Sequence, residues 1–241
     1  MKYASLALLL ISLTALSAFA QKQQSDREFQ RFKGPVKAVT VERAKVTQSA
    51  SGPVEVARQM YKMLTFDTDG NLLTDKAYSQ GEEFDVRTYF VIDGERVVKH
   101  DVLTKRVLSG VGPGNPSGKP KDPRYSAKIK YKYDNQGNRT EMAWVDPGGV
   151  PTLRYVYNLE GNRKEVSVYR ADSSFSHGYV DVLDDKGNEV ESMSVVRQPN
   201  SNPSPTTKYT YLEFDTQGNW TKRSEQRGES SWLTYRTITY Y

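Results

Sequence analysis

The chain has 241 residues, of which 37% are hydrophobic and 26% charged, with a formal net charge of +5. An apolar share below the ~45–50% of ordinary globular domains argues against a many-layered enzyme core. The absence of cysteine excludes disulfides, thiol catalysis, thiolate metal sites and a lipidated amino-terminal cysteine.

From the amino terminus, Met1-Lys2 is a short positive start and Ala4 to Ala20 is a charge-free, mostly apolar run. Ala18-Phe19-Ala20 gives a small-x-small cleavage pattern before Gln21, so residues 1–20 are expected to be an export signal. The expected location is therefore periplasmic or secreted, with no membrane span once the signal is removed. Residues 21–33 are a polar segment in which a turn or two of helix is expected around Asp26 to Phe32.

Residues 34–241 read as one β domain. Strand patterns run over Val36–Val46, Glu55–Phe66, Leu72–Ser79, Phe84–Ile92 and Arg96–Leu103, and the last over Leu233–Tyr241. Between them a unit recurs: an aromatic or apolar residue, Asp or Asn, two variable residues, Gly and Asn. The full copies begin at Phe66, Tyr133, Tyr157, Leu183 and Phe214. Their turn residues are Asp67 with Gly70, Asp134 with Gly137, Asn158 with Gly161, Asp184 with Gly187, and Asp215 with Gly218. A contracted copy is Ile92-Asp93-Gly94-Glu95.

The chemistry of the unit is that of a hairpin turn. An opening Asp or Asn accepts backbone N–H groups further along, and Gly at the fourth place takes positive φ, which suits the twist of a hairpin. The repeat is about 24 residues long, two strands and their turns. Two stretches rich in Pro, Gly, Ser and Asn, near 109–123 and 198–207, are loop insertions, because the repeat resumes after each. The expected fold is all-β: an antiparallel meander of repeated hairpins forming an extended, twisted or curled sheet. The final half-unit is expected to close or cap it.

The unit resembles the tyrosine-aspartate (YD) repeat of the RHS family, best matched at Tyr133-Asp134 with Gly137-Asn138. Phe32-Lys33-Gly34-Pro35-Val36, Gly218-Asn219-Trp220 and the Ile238-Thr239-Tyr240-Tyr241 ending support the likeness to short exported bacterial members. The resemblance implies a spiralling hairpin sheet. It implies neither toxin nor self-cleavage: Asp146-Pro147-Gly148-Gly149 lies mid-repeat and departs from the Asp-Pro-x-Gly-Leu core of the large proteins.

Sequence patterns for chemistry are weak. His100-Asp101 falls in a strand, where neighbours face opposite ways, and His177 is placed in a turn after Asp172-Ser173-Ser174-Phe175-Ser176. No spacing suits a zinc site. A calcium loop on Gly70 would put Lys76 at the bidentate acid position, and Pro120 replaces the hydroxyl that a phosphate loop needs. No catalytic residue, metal or cofactor is expected. Lys128, Lys130 and Lys132 alternate with Ile129, Tyr131 and Tyr133, which reads as a solvated strand face and not a nucleic-acid groove.

Two functions are weighed. The first is a non-enzymatic envelope protein, binding or structural, whose β surface meets an unidentified protein or glycan through Tyr131, Trp144, Tyr155 and Trp220. The alternative is a periplasmic carrier or chaperone of apolar ligands on a half-barrel sheet, with a concave face of Leu, Ile, Val and Met.

Overall fold

The computed structural model describes residues 22–102, 127–195 and 205–241. The expected signal and the loop near 109–123 lie outside these residues, as does most of the loop near 198–207.

Among the described residues the short helix α1 (Asp26–Phe29) precedes fifteen strands. They are β1 (Val36–Ser49), β2 (Gly52–Glu55), β3 (Gln59–Phe66), β4 (Leu72–Ser79) and β5 (Glu82–Ile92). Then come β6 (Glu95–Val102), β7 (Ala127–Tyr133), β8 (Arg139–Val145), β9 (Pro151–Glu160) and β10 (Arg163–Arg170). The last are β11 (Phe175–Leu183), β12 (Glu189–Val195), β13 (Thr207–Phe214), β14 (Trp220–Arg227) and β15 (Ser230–Tyr240). His177 is thus a strand residue of β11; its expected turn lies just before it, at 171–174.

Each strand pairs antiparallel with the next, apart from β2, a short flap on β1 alone. The sheet is not open. Residues of β15 pair antiparallel with β1 from Tyr240 opposite Val36 to Ser231 opposite Val46, which closes fourteen strands into a barrel. Closure removes both sheet edges, which would otherwise present unpaired N–H and C=O groups. This corrects the extended or curled sheet: the half-unit at the carboxyl end finds its partner in the first strand.

Four of the five full repeat copies form one turn. In each, the N–H of the first Asp donates to the carbonyl of the Asn four residues on. The Gly N–H donates back to the carbonyl of that Asp, as at Asp67, Asp134, Asp184 and Asp215. The Asp carboxylate also accepts the backbone N–H of that Asn, at 2.7–2.9 Å. A register shift beside each turn marks the accompanying bulge. Asn158 departs from the expectation. It lies in β9 opposite Glu165, and the strands run on to a two-residue connection, Gly161-Asn162. A neutral amide is a weaker acceptor than a carboxylate, so the loop is not held open there.

Side chains alternate across the wall, and the two faces differ. Outward positions carry charge: Lys130 is exposed in the middle of β7, and Lys132 pairs with Glu141 at 3.0 Å, Lys76 with Glu83 at 2.8 Å and Lys222 with Glu213 at 3.5 Å. A barrel standing in lipid instead needs an outer apolar band about 25 Å tall. The inner face of β1 to β8 and the end of β15 make an apolar core of Val39, Val41, Leu64, Phe66, Val98 and Ile129, with Met142 and Ile238 against it. The inner face of β9 to β14 is lined by Tyr155, Tyr157, Tyr179, Tyr209, Tyr211 and Arg223. Among the described residues no helix is long and apolar enough to cross a membrane.

Candidate functional site

The repeat turns all lie at one end of the barrel, the end where β1 starts and β15 stops. Residues 22–33 plug that end. Ser25 caps α1 with a capping box: it accepts the N–H of Glu28, whose carboxylate accepts the Ser25 N–H. The Lys22 ammonium and these Ser25 bonds hold the Glu28 carboxyl down at about 2.

The plug docks on the turns themselves. Gln24 N donates to Gly137 O and Arg27 N to Gly70 O, both at 2.9 Å, and an Arg31 Nη donates to Gly187 O. Lys33 N donates to Asn219 Oδ1 at 2.8 Å while Asn219 Nδ2 donates to Lys33 O at 2.9 Å. The repeat therefore supplies a ring of carbonyls and amides as well as turns. At the centre is Asp26, buried, whose carboxylate accepts Arg96 Nη2 at 2.5 Å, Arg139 Nη2 at 2.8 Å, Leu72 N at 2.9 Å and Tyr131 OH at 3.3 Å. Two guanidiniums and a backbone amide satisfy a charge that would otherwise be costly to bury.

Between the plug and the wall from β12 to β15 lies a cavity of about 400 Å³. Phe32, Arg31 and Lys33 form its roof, and Glu189, Tyr211, Trp220, Arg223 and Arg236 its walls. Trp220 carries two cations on its ring, Arg236 at 3.5 Å and Arg223 at 4.5 Å, and Arg236 also lies 5.0 Å from Phe32. Below them Glu225, buried, accepts Arg43 at 2.5 Å, Arg223 Nη2 at 2.9 Å and the Thr234 hydroxyl at 2.7 Å. Glu225 thus serves two arginines. No described carboxylate lies within ion-pair distance of Arg236, and its buried Nε has no hydrogen-bond partner. Burial and neighbouring Arg223 push Arg236 down to about 9, which still leaves it charged at neutral pH.

The four aromatics expected on an outer surface face inward. Tyr131 accepts the Arg139 guanidinium on its ring at 4.0 Å and reaches Asp26, and burial raises its phenol to about 12. Trp144 packs on the core, with the Arg87 guanidinium 5.3 Å from its ring. Tyr155 lies opposite Met142 and Val168, its phenol also raised by burial. Of the four, only Trp220 borders the cavity. The lysine stripe of β7 does face outward, with Lys130 exposed. His100 Nε2 lies 2.6 Å from Asp85, and His177 Nδ1 lies 3.1 Å from the adjacent Ser176 hydroxyl. Among the described residues no group of three metal-binding side chains converges.

Sequence reasoning missed Asp26, Arg223 and Arg236. A signal existed for the strand arginines: Arg223 and Arg236 alternate in phase with Thr234, Glu225 and the inward aromatics. An inward phase follows only from knowing which strand closes on which.

No family model matches the chain, and no curated protein matches it. Among solved structures it is similar to a porin-like protein from Bacteroides uniformis, with 12% identity and a TM-score of 0.45 over 86% of this chain and 98% of that one. It is also similar to a LolA superfamily protein from Nitrosomonas europaea, with 7% identity and a TM-score of 0.23 over 87% of this chain and 88% of that one. At such TM-scores neither likeness bears on what this chain does.

Proposed function

We propose that this chain is a non-enzymatic binding or carrier protein of the cell envelope that holds a small ligand inside a barrel standing in water. The observation that carries this reading is the cavity of about 400 Å³ between plug and wall. Its size falls in the ~300–1,000 Å³ range of small-molecule sites, and it joins aromatic walls to a few convergent polar groups. The charged outer face argues against a pore in lipid. The inward aim of Tyr131, Trp144, Tyr155 and Trp220 moves binding from the surface to the lumen. The signal-like residues 1–20 support the envelope location. The cavity is not the wall of Leu, Ile, Val and Met that a carrier of purely apolar cargo needs, so the ligand is polar at one end.

The test uses Trp220 as a reporter, in a chain carrying Trp144→Phe and Trp232→Phe. Adding the small-molecule fraction of a host envelope extract is expected to shift Trp220 emission saturably. An unchanged spectrum, with the fold intact by circular dichroism, would overturn the reading.

A further inference from the structure

We propose that the cavity binds an oxyanion, the carboxylate or phosphate end of its ligand, on the guanidinium of Arg236 with Arg223 beside it. The inference rests on the ligand-binding reading above and names the chemistry of the site.

Arg43, Arg223 and Arg236 gather around Glu225, which accepts hydrogen bonds from the first two and not from the third. Buried charges are ordinarily paired, because an ion removed from water without a partner loses several kcal/mol. Here Arg236, half-buried with its Nε enclosed and without a hydrogen-bond partner, is the one left over. Its neighbours are rings: Trp220 at 3.5 Å and Phe32 at 5.0 Å fix the guanidinium plane without neutralising it.

Arg236 lines the cavity, and so does Arg223, whose Nε and Nη2 are occupied by Glu225. Arg31, Lys33 and Lys186 border the same space, against Glu28 and Glu189. Glu28 is already paired with Lys22 at 2.6 Å. Guanidinium presents parallel N–H donors that match a carboxylate or phosphate.

The internal rivals are the lumen acids. Asp181 is engaged by the Ser192 hydroxyl at 2.7 Å and Lys164 at 3.8 Å. Glu189 is the nearer rival: it lines the cavity, yet forms no ion pair with Arg236. If the site takes an external anion, Glu189 opposes it by like charge, and removing that charge tightens binding.

The experiment is calorimetric titration of the full chain at constant ionic strength with inorganic phosphate, hexanoate and neutral 1-hexanol. One site per chain is expected for phosphate, for hexanoate or for both, and the stronger of the two identifies the anion class. Arg236→Gln is expected to weaken that binding at least tenfold, Arg236→Lys less, and Glu189→Gln to strengthen it. Should Arg236→Gln fail to fold, Glu189→Gln decides alone. Anion binding unchanged in Arg236→Gln, or not tightened in Glu189→Gln, overturns the inference. Hexanol binding without either anion overturns it too, and leaves the lumen carrier standing. No heat from any of the three, together with a silent Trp220, sinks both.

Discussion

Asp26 is the residue on which the plugged end turns. Its carboxylate holds Arg96, Arg139 and the Leu72 amide, so Asp26→Asn leaves the buried Arg139 and the half-buried Arg96 short of a counter-charge. Breaking a buried pair by removing one partner costs about 3–5 kcal/mol. Urea denaturation is expected to show a loss of this order, and a loss under 1 kcal/mol would mean that solvent already screens the site. Glycine positions allow a finer contrast. Gly70 has φ of +87°, and a Cβ there would sit 2.8 Å from Ser25 Oγ and 3.1 Å from Arg27 in the plug. Gly94 has φ of +78° but nothing within 4 Å. Both alanine variants pay roughly 1 kcal/mol of backbone strain; Gly70→Ala alone is expected to loosen residues 22–33 as well, read as faster amide exchange there. The turn residues were legible because Asp-x-x-Gly-Asn is local chemistry. Asp26 was not: its partners lie far along the chain, and no local pattern marks an acid that will meet them.

At the scale of elements, strand periodicity placed β4 at its observed bounds and β1, β3, β5, β6 and β15 within a few residues, since alternation and Gly-closed turns are short-range signals; β2 was not separated from β3. The turn at Asp146-Pro147-Gly148-Gly149 shows the same signal unread. It has the repeat's hydrogen bonds, Asp146 N to Val150 O and Gly149 N to Asp146 O, at the opposite end of the barrel. Asn158 shows the converse, a motif match without the carboxylate that builds the turn. The plug depends on the last full copy differently from the rest. Asn71, Asn138 and Asn188 donate their amides to their own Asp, while Asn219 turns its amide to Lys33 O and Tyr240 OH. Asn219→Ala is expected to cost about 1–3 kcal/mol and to speed proteolytic nicking within residues 22–33. An unaltered nicking rate would show that the plug is held elsewhere.

For the whole molecule, closure decides what the composition means. Of the 16 tyrosines, many point inward beside arginines, as Tyr131 does beside Arg139 and Tyr209 beside Arg223, while lysine–glutamate pairs stand on the outer face. Composition cannot reveal this, because alternation is the same whichever face is inside. The consequence is a pH limit. Burial raises Tyr131 and Tyr209 to about 12 and raises Tyr89, Tyr157 and Tyr179 as well. An unfolded tyrosine ionises near ~10, so above that pH the unfolded chain has lost protons that the barrel keeps. The tyrosine contribution is complete below pH ~10 and falls as pH rises, by about 1.4 kcal/mol per pH unit for each retained proton. Cooperative alkaline unfolding is expected above pH ~10, with phenolate absorbance rising in the same transition as the loss of circular dichroism. Phenolate appearing well before unfolding would place these rings in water.

The central claim is that the closed barrel carries a small ligand in its lumen. Native mass spectrometry of the chain purified from its own host tests it most directly. The account predicts that the native mass exceeds the denatured mass by one small, acid-bearing molecule per chain, and that the excess is lost in Arg236→Gln. Equal native and denatured masses for the wild-type chain, with the fold intact, would contradict it.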